Sequence, residues 1–308
     1  MKNIVYILIL LISCSTFGQE KPIDIDSIFN QIISNPKTKL DRRTYSKSII
    51  KEFHELKLNE NEWIAFREYY PNNRLKEKGI FLNGDYFGIW KAFDKNGNLI
   101  SEINYFLSKK INGNDLGFEE TFDQCKLKAD QIIQSHFGKE SNFKLNASRS
   151  YWYSKNNSGT WFEKRSEKPE EFRLTYSYNV SDSLKFDVVD LYFNSDLELT
   201  KDEIKGLPKT KPYEFRLDYS KAKEIANSRN YGITNHQNAF KDSEYLKLIF
   251  DKSDSSYKWI ISNVPETKWK GYENTNSGII TGIGKTLRIN CLTGEIEESE
   301  FGGTIIVN

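Results

Sequence analysis

Tyr219-Ser-Lys-Ala222-Lys-Glu-Ile225-Ala226, Tyr257-Lys-Trp259-Ile-Ile261 and Thr286-Leu-Arg-Ile-Asn290, with the turn and acidic strand Thr293-Gly294-Glu295-Ile-Glu-Glu298, make the stretch whose reading decides the fold. Ser220 can cap a helix whose Ala222, Ile225 and Ala226 share one face, and so small an apolar face can lie close against a sheet. Tyr245 to Phe250 and Tyr257 to Ile261 read as strands around the polar segment Asp251 to Ser256. Thr286 to Asn290 and Glu295 to Glu298 form the last pair, with Gly294 supplying positive φ at the turn. Between them Ser262 to Gly282 is rich in Asn, Gly and Ser and reads as a long loop.

The same order occurs upstream. From Thr121 a helix is expected, with Gln124 completing a capping box and Phe122, Cys125, Ala129, Ile132, Ile133 and Phe137 on one side. An offset of 97 residues places Cys125 on Ala222 and Ala129 on Ala226. Strands at Ser150 to Tyr153, Thr160 to Lys164, Phe172 to Asn179 and Leu184 to Phe193 follow, then a turn at Asn194 to Asp196. A linker with Gly206, Pro208 and Pro212, running from Lys205 to Pro212, separates the two copies.

The C-terminal pattern "Ser-Lys-Ala-Lys-Glu-Ile-Ala", "Tyr-Lys-Trp-Ile-Ile", "Leu-Arg-Ile-Asn-Cys-Leu-Thr-Gly-Glu-Ile" resembles the PepSY module, a small helix-on-sheet domain of secreted and membrane-attached bacterial proteins. The family has Asp-Ala before its Thr-Gly-Glu turn where this chain has Asn290-Cys291. The resemblance implies a role in restraining or chaperoning a protease or other secreted partner.

Between Trp63 and Asn112 a period of 24 replaces these patterns: Phe66, Tyr69, Asn72, Asn73, Leu75 and Phe81 recur as Trp90, Phe93, Asn96, Gly97, Leu99 and Tyr105. Each unit reads as strand, Asn/Gly turn, strand, over Ala65 to Tyr70 and Arg74 to Leu82, then Gly88 to Phe93 and Asn98 to Phe106. "Glu-Tyr-Tyr-Pro-Asn-Asn-Arg-Leu-Lys-Glu-Lys-Gly" and "Gly-Ile-Trp-Lys-Ala-Phe-Asp-Lys-Asn-Gly-Asn-Leu" resemble the MORN-type repeat of bacterial proteins often labelled antitoxins. Stacked hairpins must share their aromatic face, so Trp90 is expected to be a core residue common to both. Ahead of the repeat two short helices are expected, one capped by Asp26 with Ile28, Phe29, Ile32 and Ile33 as its stripe. The other follows Thr44 and carries Ile49, Ile50, Phe53 and Leu56.

Met1 to Gln19 has the layout of a secretory signal peptide, with an apolar run too short to span a bilayer. Cleavage after Gly18 competes with a lipobox reading of Leu11-Ile-Ser-Cys14, which would leave a lipid anchor on Cys14; cleavage after Gly18 is favoured. The protein is then exported, to the periplasm, cell surface or medium. Removing residues 1–18 takes one lysine and no acid from a chain of net charge +1, so the mature chain is neutral. Neutrality gives no reason to expect nucleic acid or a charged membrane as partner.

The expected fold is α+β: a signal peptide (1–18), a helical N-terminal segment (20–62), β-hairpin repeats (63–112) and two small helix-on-antiparallel-sheet modules (117–204 and 213–301). Aromatic residues at 14% suit β-rich cores.

Catalytic residues, metal ligands and cofactors are not expected. His54, His136 and His236 lie far apart with no zinc spacing. Gly278-Ile-Ile-Thr-Gly282-Ile-Gly284-Lys285-Thr286 resembles a phosphate loop, but five residues separate Gly278 from Gly284 where the motif has four, and a strand follows rather than a helix. Cys125 and Cys291 sit at positions of small core residues, although export permits a bridge between them. Loop and hairpin aromatics are the candidate contacts for a polypeptide partner: Trp269 and Tyr272 in the long loop, Trp152 and Trp161 beside the Lys155 to Gly159 turn. The expected function is non-catalytic binding of a polypeptide in the bacterial envelope. The alternatives are a structural envelope-associated repeat protein and an enzyme of unrecognised type.

Overall fold

The computed structural model describes residues 24–45, 49–58, 61–181, 184–200, 205–231, 246–263, 269–270 and 279–306. The signal-peptide stretch and Cys14 lie outside the described residues. Helices and antiparallel sheets, including an array of hairpin strands, make up the fold. The chain divides into two compact units, Met1–Glu102 and Ile103–Asn308.

In the first unit, α1 (Ile25–Ser34) buries Ile25, Phe29 and Ile32. Its cap is Asp24, whose Oδ1 accepts the Ser27 N–H at 3.1 Å. Asp26, expected to cap, instead pairs with Lys78 at 2.7 Å and Lys91 at 3.2 Å. The second expected helix is a strand. Strands β1 (Lys39–Tyr45), β2 (Ile49–Leu58), β3 (Asn61–Tyr69), β4 (Leu75–Leu82) and β5 (Asp85–Phe93) run in chain order as an antiparallel meander. The stripe Ile49, Ile50, Phe53 and Leu56 fits a helix, but in a strand it is divided between two faces, Ile49 and Phe53 on one and Ile50 and Leu56 on the other. In β2, His54 and Leu56 face one side and Phe53 the other, and pairing of Phe53 with Phe66 in β3 decides between the two patterns.

The division between units falls within β6 (Leu99–Asn104). The repeat is visible in its turns. Tyr70 N–H donates to Arg74 O at 2.8 Å and Asn73 N–H to Tyr70 O at 2.9 Å; 24 residues on, Asp94 N–H donates to Asn98 O at 2.9 Å and Gly97 N–H to Asp94 O at 3.0 Å. The turns also bond to one another: Tyr70 Oη donates to Phe93 O at 2.9 Å and Arg74 Nη1 to Lys95 O at 3.2 Å.

Phe66 and Trp90, equivalent in the two repeats, stack with centroids 5.6 Å apart and are only 5% and 4% exposed. Trp90 Nε1 donates to Ile80 O at 3.0 Å. Its indole lies on Gly79, where a Cβ would stand 2.1 Å from the ring, so only glycine allows the approach.

The second unit opens with the end of β6 and β7 (Lys109–Gly113), then carries two sheets on one continuous core. The first sheet has the order β10 (Ser158–Thr160), β9 (Tyr151–Tyr153), β11 (Glu171–Asn179), β12 (Lys185–Asn194), and β8 (Phe143–Leu145) also pairs with β11. The second has the order β13 (Lys247–Asp251), β14 (Ser256–Asn263), β16 (Ile279–Asn290), β15 (Trp269–Lys270), and β17 (Ile296–Ile306) pairs with β16.

Helix α2 (Glu119–Phe137) buries Phe122, Cys125, Ala129, Ile133, His136 and Phe137. It starts before the expected Thr121 capping box: Phe118 occupies the cap at φ 61 without a side-chain bond. Arg165 secures that end, with its guanidinium 3.5 Å from the Phe122 ring centroid and donating to Gly117 O and Trp161 O. Helix α3 (Tyr219–Ser228) buries Ala222 and Ala226 and is capped by Asp218, not Ser220, with Lys221 N–H at 2.9 Å.

The expected linker is a packed strap: Tyr257 Oη donates to Gly206 O at 2.5 Å, and Tyr213 N–H donates to His136 O at 2.6 Å. Aromatics of the shared core then interlock. Phe137 stacks on Phe143 at 3.9 Å, Tyr178 on Phe215 at 4.8 Å, and Trp259 meets Phe186 edge-on at 5.5 Å.

Trp90→Ala should destabilise the first unit by about 3–5 kcal/mol, and Gly79→Ala by about 1–3 kcal/mol through overpacking against the indole. Both are readable by denaturant unfolding, and a wild-type midpoint for Trp90→Ala would mean the ring is not part of the packed interior.

Candidate functional site

The aromatics singled out from the sequence divide sharply. Trp152 and Trp161 are 3% and 5% exposed. Trp161 lies 4.5 Å from Phe122, and Trp152 pairs across from Phe172. Both turn inward because the short β9–β10 hairpin folds over the end of α2, so neither offers a surface to a partner. Trp269 is the first residue of β15 and pairs with Gly282, while its side chain lies outside the described residues, as does all of Tyr272.

Chemistry-bearing groups elsewhere are absorbed in packing. Among the described residues no group of three or more His, Cys, Asp or Glu is placed to hold a metal, and no helix is long and apolar enough to cross a membrane. The glycine-rich stretch resembling a phosphate loop falls largely inside β16. Cys125 and Cys291 are free and buried, and burial pushes the Cys125 thiol up to about 12 and the Cys291 thiol up as well.

A polar cluster lies under the 146–150 segment. Asn146 Nδ2 donates to Asp187 Oδ1 at 3.0 Å, Ser150 Oγ donates to Asn146 O at 2.8 Å, and Thr175 Oγ1 donates to Asp190 Oδ1 at 2.8 Å. Each of these groups is used by another, which is how a clamp fixing a segment to a sheet is built.

What the second unit does present is a strand edge. The last strand was expected to close at Glu298, but β17 runs for 11 residues to Ile306 and β16 begins at Ile279. Part of the expected Ser262 to Gly282 loop is therefore strand. Gly282 opposite Gly303, and Gly284 opposite Phe301, hide the alternation that would have announced it.

The register of this hairpin fixes which backbone groups point toward β16 and which point outward. Asn290 N–H donates to Glu295 O at 2.8 Å, a hydrogen-bonded pair, and the β16–β17 register continues without a shift. In antiparallel pairing such pairs alternate with pairs whose N–H and C=O point away. Glu297, Ser299 and Phe301 therefore bond to β16, and Ile296, Glu298, Glu300 and Gly302 turn their backbone groups outward. The opposite side of β16 agrees: Cys291 N–H donates to Tyr257 O at 2.8 Å, which points the odd-numbered residues of β16 toward β14.

No described strand pairs with the outer side of β17. Of the other edges in this unit, β12 is nearly as long at 10 residues but carries the isolated bridges Phe193 with Leu199 and Asp190 with Lys205, while β10 and β13 are shorter at 3 and 5 residues. Glu298 on the helix-side face pairs with Arg229, just past α3, at 2.8 Å, and Arg288 donates to Ser299 Oγ on the other face at 2.8 Å. An edge of this length with rigid neighbours can accept a further strand through main-chain hydrogen bonds.

Comparison with known proteins places no name on this arrangement: no family model, no curated protein and no solved structure matches the chain.

The histidines give a test of the packing around them. His54 and His136 are held below their ordinary value, first by burial and then by nearby Arg67 and Lys211 respectively. The unfolded chain takes up these protons near pH 6.5 and the folded chain resists, so stability is full above that pH and is lost as pH falls through the folded values. The melting temperature should drop between pH 7.5 and pH 5, with a smaller drop in His54→Gln. Equal melting temperatures across that range would contradict the burial of these rings.

Proposed function

We propose that this chain is an exported binding protein that captures an extended polypeptide segment by adding it as a strand to β17. The observation that carries the reading is the 11-residue edge with the backbone groups of Ile296, Glu298, Glu300 and Gly302 facing outward. Strand addition needs no acid, base or nucleophile; it needs a rigid ladder with unused donors and acceptors. The N-terminal signal-peptide pattern supports export. The PepSY resemblance supports a secreted polypeptide, such as a protease to be restrained or chaperoned, as the class of partner.

Proline substitution separates the two sides of the strand. At Gly302 an added Cβ meets nothing within 4 Å, and the lost N–H is an outward one. Gly302→Pro should therefore keep the melting temperature within about 2 °C, the lower end of the shift expected from a loss of 1 kcal/mol in a unit of this size. Ser299→Pro removes an N–H used by β16 and should lower it clearly.

Cross-linking and mass spectrometry on envelope extracts should recover a polypeptide with the wild-type protein and lose it with Gly302→Pro. Identical recovery with both proteins would overturn strand addition at this edge, and turnover of a substrate in a hydrolase screen would overturn the non-catalytic reading.

A further inference from the structure

Resting on strand addition at β17, the charge of that edge points to the chemistry of what it accepts. Residues 295–300 hold four glutamates and no lysine or arginine. Among the described residues, cations lie on the inner side: Lys285 and Arg288 are on β16, where they pair across from Glu300 and Glu297, and Arg229 follows α3. Acids thus occupy the outermost strand and bases the layer behind it.

We infer that β17 accepts a basic extended segment, one carrying Lys or Arg at alternate positions. An added strand lies about 4.8 Å from β17 and about twice that from β16. At a screening length of roughly 8 Å in physiological salt, the added strand feels the glutamates more strongly than the cations behind them.

The alternation matches as well. Glu298 and Glu300 are two residues apart on one face, so a partner with cations at every second position places them opposite both acids. Glu297, on the other face, carries no ion pair among the described residues. It adds negative charge without a bound counter-charge.

The same glutamates disfavour a second copy of this chain. Antiparallel pairing of β17 with itself about Glu298 would set carboxylate against carboxylate, which is the way edges are protected from self-association.

The test uses full-length mature protein and three labelled octapeptides, acetyl-(Lys-Thr)4-amide, acetyl-(Gln-Thr)4-amide and acetyl-(Glu-Thr)4-amide, with binding read by fluorescence anisotropy. The expected result is that (Lys-Thr)4 binds at least tenfold tighter than (Glu-Thr)4, that Glu297→Lys with Glu300→Lys reverses the order, and that Gly302→Pro weakens binding at least tenfold. Equal binding of (Gln-Thr)4 and (Lys-Thr)4, both lost in Gly302→Pro, would overturn the charge preference and leave strand addition standing. Binding of (Lys-Thr)4 that Gly302→Pro does not change would be attraction without pairing and would overturn both. Concentration-dependent dimerisation that competes with the peptide would assign the edge to a second copy and overturn the inference.

Discussion

The hydrogen bond from Asn290 N–H to Glu295 O fixes which side of β17 faces β16 and which side faces away. It is made rigid by its own turn. Asn290 Oδ1 accepts from Leu292 N–H at 2.9 Å and Thr293 N–H at 3.0 Å, and Gly294 N–H returns to Asn290 O at 2.9 Å. A slip of one residue would exchange inward and outward groups along the whole hairpin and move Ile296 from the core side to the other face. The turn is anchored in turn by Cys291, whose N–H donates to Tyr257 O and whose small side chain is fully buried.

The same device occurs at the end of β12 in the first sheet. Asn194 Oδ1 accepts from Asp196 N–H at 3.0 Å and Glu198 N–H at 2.9 Å, while Asn194 N–H donates to Glu198 O at 3.0 Å. Leu197 there and Gly294 here both take positive φ. After the turn the two segments differ. Among the described residues, the segment after Asn194 makes two isolated bridges to β12, Phe193 with Leu199 and Asp190 with Lys205, where the segment after Asn290 builds the full β17. Tyr178, Phe215, Tyr257 and Trp259 lie in one shared core, so the first sheet packs behind the sheet that carries β17. Local opening of β17 would then be resisted by packing it does not itself provide.

Much of this fold can be read in the sequence where local pattern and long-range pairing agree. The 24-residue hairpin period, the inward alanines of α3 and the strands Phe172 to Asn179 and Leu184 to Phe193 are of that kind. Ile49 to Leu56 misleads because its apolar residues fit a helical stripe, whereas in the strand they are divided between both faces, and only the pairing with β3 settles it. Asp26 misleads because a carboxylate near a helix start can cap or can reach out to lysines, and Lys78 and Lys91 are brought within reach only by the folded sheet. Trp152 and Trp161 flank a polar turn, the usual place for contact residues, but the hairpin is short enough to tuck both rings under itself. The edge strand is not legible beyond Glu298 because glycines at 282, 284, 302 and 303 interrupt the side-chain pattern across it, leaving register, not pattern, as the information that defines it.

Amide hydrogen exchange, residue by residue along β17, measures that register and its use together. The amides of Glu297 and Ser299 should exchange slowly in the free protein, and those of Glu298, Glu300 and Gly302 quickly; saturation with acetyl-(Lys-Thr)4-amide should slow the second set and leave the first unchanged. Slow exchange of Glu298, Glu300 and Gly302 in the free protein would show that the edge is already occupied and would contradict the account.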